Sequence, residues 1–536
     1  MSNRFDSNSK FHNSHPNSFE EEAGPNGKKY INEDYERSLG KELEGIKNYD
    51  TSIVEDNSEF KDFPPLPERE LYVVMYLGPN DKEFPHNWKL IRKLFDSSAF
   101  ACSMLALVMG SAMFAQGSEG IMMEFHVGYT VATLTTSLFI AGFASGPIIW
   151  GPLSELYGRK PILIISTFGY ICFGFAVGAA EDIQTVILCR FFGGFIGAAP
   201  LTVSIAAMAD IFDAKARGKA TTIFAMVLFG SPMFAPVLGG FTAKNSSLGW
   251  RWTSYFPTLV ACLALVLLIF SDESHHGIIL IQKAKFLRKK TGVWGIYAPH
   301  ELISLTLRDI IHKSIFKPIR MLFTEPILLL ISVYSAFIYG MLYLFLTAVH
   351  IIFIDSYGFS EGGGQLPYIS MLFGMLAGGL LNIYMDKRYL KAMKINNGKP
   401  VPEERLPPVM VGSVCFTVGL FWLGWAGGFG NRVHWIVPTI GMAPLGAGVI
   451  LILKPCIGYI IECYLPSAAS ALAANTFLRS AFGAAFPLFA RQMFVNMQIK
   501  WASTLAGFIA AILIPVPFLF YKYGRIIREK SENAFH

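Results

Sequence analysis

Runs of roughly twenty apolar residues, separated by short polar loops, fill the chain from residue 98 onwards. As an α-helix, each run reaches about 30 Å, one hydrocarbon core. The pattern predicts six spans near 98–117, 129–150, 161–180, 184–208, 219–243 and 251–271. Six more are predicted near 326–354, 364–385, 408–428, 433–461, 468–496 and 500–521, with the vaguest boundaries at 430–500, where Pro and Gly interrupt the hydrophobicity. The polar positions divide the chain in the same way. Residues 1–95 are rich in Asn, Ser, Glu and Asp and read as a disordered cytoplasmic tail. Residues 96–271 form a first six-helix half, 272–324 a basic linker, 325–522 a second half and 523–536 a short tail. The fold class expected is an all-α membrane protein with twelve transmembrane helices in two pseudo-symmetric halves, as a duplicated six-helix unit would give. No charged segment followed by a short apolar core opens the chain, so the first span is expected to direct insertion.

Composition supports this. Of 536 residues, 52% are hydrophobic and 16% charged, against about 25% charged in soluble domains. A soluble multidomain enzyme, a coiled coil and a disulfide scaffold are excluded. The net charge of +6 resides in alternate loops and not in a nucleic-acid-binding patch. Arg159 and Lys160, then Lys215, Arg217 and Lys219, then the linker, then Lys387, Arg388 and Lys391 mark one side, whereas loops 118–128, 181–183 and 355–363 carry no Lys or Arg. Basic loops stay cytoplasmic, which places both termini there. The seven cysteines show no metal-ligand spacing, so no metal, cofactor or catalytic residue is expected.

Three strings offer chemistry. The loop Gly151-Pro152-Leu153-Ser154-Glu155-Leu156-Tyr157-Gly158-Arg159-Lys160-Pro161 combines glycines for a tight turn with an acid and two bases. On spacing alone it serves equally as a basic anchor. The fourth span opens with Arg190 and closes with Asp210; an intramembrane arginine must face a partner, water or headgroups. The fifth contains Gly230-Ser231-Pro232, then Pro236 and Gly239-Gly240, and its prolines free carbonyls and bend the helix. Tyr339, Tyr343 and Phe345 on the seventh span, with Asn475, Phe477, Arg479 and Phe482 on the eleventh, are candidates for a substrate cavity able to stack on cationic or planar compounds.

Together with Gly78-Pro79-Asn80-Asp81, Glu325-Pro326-Ile327, His434-Trp435 and the run Ala468 to Ser480, these strings resemble the major facilitator superfamily. Within it they resemble the fungal twelve-span drug:proton antiporters, particularly the polyamine-transporter-like branch. The resemblance implies that 151–161 is a cytoplasmic gate, with Glu155 where many members have Asp, and that Asp210 partners Arg159. It implies a part for Arg190 and Asp210 in proton coupling, and identifies 230–241 with the antiporter motif. Three features depart from the pattern. The second-half counterpart, Gly379 to Asp386-Lys387-Arg388, reads as decayed; Lys454 interrupts the tenth span; and Gln498-Ile499-Lys500 stands where a Gly-containing turn is expected.

No phosphate-cradling Gly-rich loop occurs in the chain. The function implied is proton-coupled export of small cationic or amphipathic compounds, drugs and polyamines, by a monomer among membrane lipids, at the plasma or vacuolar membrane. A facilitator or proton symporter for a nutrient and a non-transporting nutrient receptor remain the alternatives.

Overall fold

The computed structural model describes residues 72–76, 81–245, 247–302, 315–397, 399–529 and 531. The expectation of a disordered tail at 1–71 lies outside these residues. One compact unit includes Lys283–Tyr297, joined to the described residues 72–76 by the isolated bridge Val73–Tyr297. The other holds the helices considered below.

Among the described residues, eleven helices are long and apolar enough to cross a membrane. Ten match the predicted spans: α1 (Leu90–Phe125), α2 (Tyr129–Tyr157), α3 (Arg159–Gly178), α4 (Ile183–Ile211), α5 (Ala216–Lys244), α6 (Trp252–Phe270), α7 (Pro326–Ser356), α8 (Gly363–Ile395), α9 (Pro402–Gly427) and α10 (Ile436–Cys463). The eleventh, Ala468–Arg528, has 61 residues, about 90 Å if straight and enough for two crossings. It breaks at Gln498, whose φ of 65° and ψ of 156° are non-helical, and so divides into α11 (468–497) and α12 (499–528). Six helices therefore stand on each side of the linker. α1 begins inside the stretch read as tail, where Trp88 is buried under the Arg92 guanidinium, 4.0 Å from its ring.

Reciprocal glycines repeat the same packing in each half. A Cβ on Gly142 of α2 would fall 2.2 Å from the Phe191 carbonyl of α4, and one on Gly194 of α4 would fall 2.2 Å from the Phe139 carbonyl of α2. Gly374 of α8 and Gly446 of α10 meet the Ala443 and Met371 carbonyls in the same fashion, at 1.8 Å each. Small residues let helices pack backbone to backbone where lipid supplies no hydrophobic drive between them. The halves thus share a structural rule that their sequences show only faintly.

α5 bridges the halves. Its Gly239 packs on Met113 and Gln116 of α1, while Gly230 meets Met375 of α8 and Gly240 meets Gln365 of α8 and the Glu361 carbonyl. Pro232 and Pro236 lie inside a continuous helix.

Candidate functional site between the two halves

The basic end is the end of the bundle formed by the loops carrying Arg159, Arg217 and Arg405. There Gly158, at φ 100°, turns the chain into α3, a conformation that favours glycine. Arg159 donates from Nε to Asp210 Oδ2 at 3.1 Å and from Nη1 to Ser154 Oγ at 2.7 Å. The pairing expected of Arg159 and Asp210 is present. Glu155 takes no part in it: its side chain is exposed, and its carbonyl accepts from His300 at 2.8 Å. The working acid is Glu273, just beyond α6, whose carboxylate accepts the backbone N–H groups of Arg159 and Lys160 at 2.9 and 3.1 Å. Burial raises its pKa above the ordinary carboxylate value, against the opposing effect of these donors. Lys160 donates to the Ile269 and Ser271 carbonyls at 2.9 and 2.6 Å, satisfying the C-terminus of α6. The Arg159 and Lys160 side-chain bonds lie within the first half, and Glu273 and His300 of the linker close on it, so the motif clamps α2, α3, α4 and the end of α6 together.

The second half repeats the clamp with residues scattered along the sequence. Arg405, in the first turn of α9, pairs with Glu462 at the end of α10 at 2.8 Å and with Asp386 of α8 at 3.2 Å. Lys454 of α10 is 2.9 Å from Asp386 and donates to Asn382 at 3.2 Å. Tyr389 donates to Glu462 at 2.7 Å and lies under the Arg405 guanidinium at 3.5 Å. Two cations, Arg405 and Lys454, thus face two anions, Asp386 and Glu462, each side chain less than one-fifth exposed. The motif reads as decayed in sequence, but its geometry is intact, and Lys454 completes it.

Arg190 and Asp210 are not brought together, being twenty residues apart along α4, roughly 30 Å. Arg190 is buried between the rings of Phe114 and Phe139, 4.1 and 4.0 Å from their centroids. It donates to the Gly110 carbonyl at 3.1 Å and the Thr135 carbonyl at 3.3 Å, and its Nη2 has no partner among the described residues. Among the described residues no carboxylate pairs with it.

At the centre, Ser111 of α1 and Tyr343 of α7 share a hydrogen bond of 2.8 Å across the halves, and Tyr343 and Tyr339 share one of 3.4 Å. Arg479 of α11 lies over Tyr339 at 4.9 Å and Phe229 of α5 at 5.6 Å, its Nε without a partner among the described residues. Asn475 donates to Ser332 of α7 at 3.2 Å. Tyr339, Tyr343, Phe345, Asn475 and Arg479 are all buried. Phe477 is not: it is 44% exposed. Two residues along a helix turn about 200°, so Phe477 points away from the face shared by Asn475 and Arg479. Phe482, half-buried, lies tilted against Phe486, the ring centroids 5.4 Å apart.

At the opposite end a cavity with about 640 Å³ of empty space, open mouth included, lies between α1, α2, α7 and α11. His350 of α7 approaches Glu119 of α1 at 3.6 Å, Tyr129 meets Thr347 at 3.3 Å, and Arg491 lies over Tyr129 at 4.7 Å. Glu119 and His350 lie 231 residues apart, and the apolar pattern does not join them.

A family model described as Major Facilitator Superfamily matches residues 98–487. The chain is 56% identical over 477 residues to the major facilitator superfamily multidrug transporter FLU1 of Candida albicans, covering 89% of this chain and 78% of that protein. It is 48% identical to the multidrug transporter TPO1_2 of Candida glabrata, covering 88% and 82%. Among solved structures, the xylose transporter XylE of E. coli, in a partially occluded inward-open conformation, superposes with a TM-score of 0.55 at 15% identity over 81% of this chain and 99% of XylE. That likeness concerns the fold.

Proposed function

The chain belongs to the major facilitator superfamily, and on that footing we propose that it exports drugs and polyamines across the plasma membrane in exchange for protons, by alternating access. It is a multi-pass membrane protein and a transporter; its basic end and both termini face the cytoplasm in this reading. The observation that carries it is the hydroxyl chain from Ser111 through Tyr343 to Tyr339, which joins the halves beneath Arg479. A polar, aromatic centre at the junction of two internally clamped bodies suits a binding site exposed to each side in turn. Each half carries its own ion-paired clamp, so the halves can rock as units about that centre. The names of the relatives, multidrug transporters, support drugs as substrates, and the sequence resemblance adds polyamines.

Proton exchange suffices energetically. A proton moving down about 100 mV yields about 2.3 kcal/mol, and one pH unit adds about 1.4. Together these sustain a solute gradient of a few hundredfold.

The test is reconstitution in proteoliposomes with an imposed pH gradient, recording spermidine and a fluorescent cationic drug. Accumulation against the substrate gradient supports the reading. Downhill flux indifferent to pH would indicate a facilitator, and binding without flux a receptor.

A further inference from the structure

The cavity at the end opposite the basic loops holds charged side chains that neither clamp uses. It lies between α1 and α2 of one half and α7 and α11 of the other, and its empty space of about 640 Å³, open mouth included, is that of a drug-sized site. His350 on its wall is seven residues further along α7 than Tyr343, about 10 Å beyond the central hydroxyl chain. Two acids meet there. His350 Nε2 stands 3.6 Å from a Glu119 oxygen and 3.9 Å from an Asp355 oxygen. Both carboxylates are about half exposed, at 49% and 52%, so a ligand can reach them.

The backbone builds this meeting. Glu119 comes from the 3₁₀-interrupted end of α1, and Asp355 from the π-turn His350–Ser356 that ends α7. The i→i+5 bonding of that turn carries Asp355 round to the face of His350; along an α-helix the two would diverge by about 140°. One nitrogen therefore finds acceptors from two helices, which is the bonding of a primary ammonium, with three donors and no acceptor. The rest of the wall is different. Thr136 of α2, 2% exposed, lines the cavity with a hydroxyl that has no partner among the described residues, and Leu346, Ile351 and Pro487 supply apolar surface. Arg491 of α11, its guanidinium over the Tyr129 ring at 4.7 Å, adds a fixed cation. A ligand with one ammonium and an apolar body matches this wall, whereas a second ammonium inside the cavity would face Arg491.

We propose that this cavity is a second substrate site, beyond the central one on the way out, in which Glu119 and Asp355 bind the ammonium of an amphipathic amine and Arg491 discriminates against linear polyamines. This rests on the export reading above and narrows its substrate class at this site. The ligand nitrogen takes the place of His350 Nε2 between the two acids, and its body lies along the apolar wall toward Thr136, whose hydroxyl accepts or donates one hydrogen bond. Charge-assisted hydrogen bonds to the half-exposed acids are strong enough to select a charged ligand over its neutral analogue.

The experiment uses the full-length protein with its native cysteines replaced and Thr133→Cys as a reporter on the cavity wall. An impermeant maleimide labels the thiol, and protection is titrated with dansylcadaverine, which has one ammonium and a planar body, with its uncharged N-acetyl derivative, and with spermidine. Dansylcadaverine is expected to protect at a concentration roughly tenfold below either of the others. Glu119→Gln and Asp355→Asn are each expected to raise its half-protecting concentration about tenfold and to leave that of the N-acetyl derivative unchanged, which also shows that the fold is kept. Arg491→Gln is expected to improve protection by spermidine several-fold relative to dansylcadaverine. Acid variants that bind dansylcadaverine like the parent, or an Arg491→Gln that leaves the ratio unmoved, would overturn the assignment. Protection is an equilibrium reading and needs no transport: charge-selective protection without pH-driven accumulation in proteoliposomes would uphold the site and remove the exchange reading.

Discussion

Lys454 and Asp386 lie 2.9 Å apart on α10 and α8, Lys454 buried and Asp386 half-buried. With Arg405 and Glu462 they form a neutral set of two cations and two anions. Breaking a buried pair by removing one partner costs about 3–5 kcal/mol, whereas replacing both by apolar groups is often neutral. Asp386→Asn, which leaves Lys454 beside Arg405, is therefore expected to lower the Tm of the detergent-solubilised protein by several degrees. Lys454→Met/Asp386→Leu is expected to return it most of the way. A thermal scan of the three proteins checks both.

Gln498 occupies a backbone region that is essentially glycine's, at φ 65° and ψ 156°. Such a residue carries about 1–3 kcal/mol of strain. Gln498→Gly is expected to raise the Tm, and Gln498→Val to lower it, in the same scan.

His275 stands beside Glu273 and Arg159 at the basic end. Burial first, then the charge of Arg159 and the neighbouring His300 and His276, push its pKa down from 6.5 to about 3. The unfolded chain binds more protons than the folded one between those values, so stability falls as pH falls through that window and is fully present above it. His275→Gln is expected to flatten the dependence of Tm on pH between about 7 and 5; an unchanged slope would show that His275 does not set it.

Gly240 has no room for a side chain: a Cβ would fall 2.8 Å from the Glu361 carbonyl. Gly240→Val is expected to wedge α5 from the α7–α8 loop and favour the state open at that end. With the native cysteines replaced, a Thr133→Cys reporter in the cavity should react several-fold faster with an impermeant maleimide on the Gly240→Val background.

The apolar periodicity revealed the spans because burial in lipid demands a continuous run, a purely local constraint. The Arg159–Asp210 pair was legible through a known pattern. Glu273 was not, since it meets Arg159 across 114 residues through a turn beyond α6. Lys454 looked like an interruption because its partner sits 68 residues away on another helix, and helix rotation decides such pairings. Phe477 illustrates the same limit within one helix: its type suited a cavity, but its angular position did not. The approach of His350 to Asp355 depends on the π-turn at His350–Ser356, which apolar periodicity does not signal.

The central claim is that two rigid halves open and close about the Ser111–Tyr343 contact. It is tested most directly by spin labels at Thr130→Cys and Ser360→Cys, both exposed at the opposite end, in a background without native cysteines. Electron–electron distance measurement should show two populations whose ratio shifts with pH and when substrate is added. A single distance unmoved by pH and substrate would contradict the account.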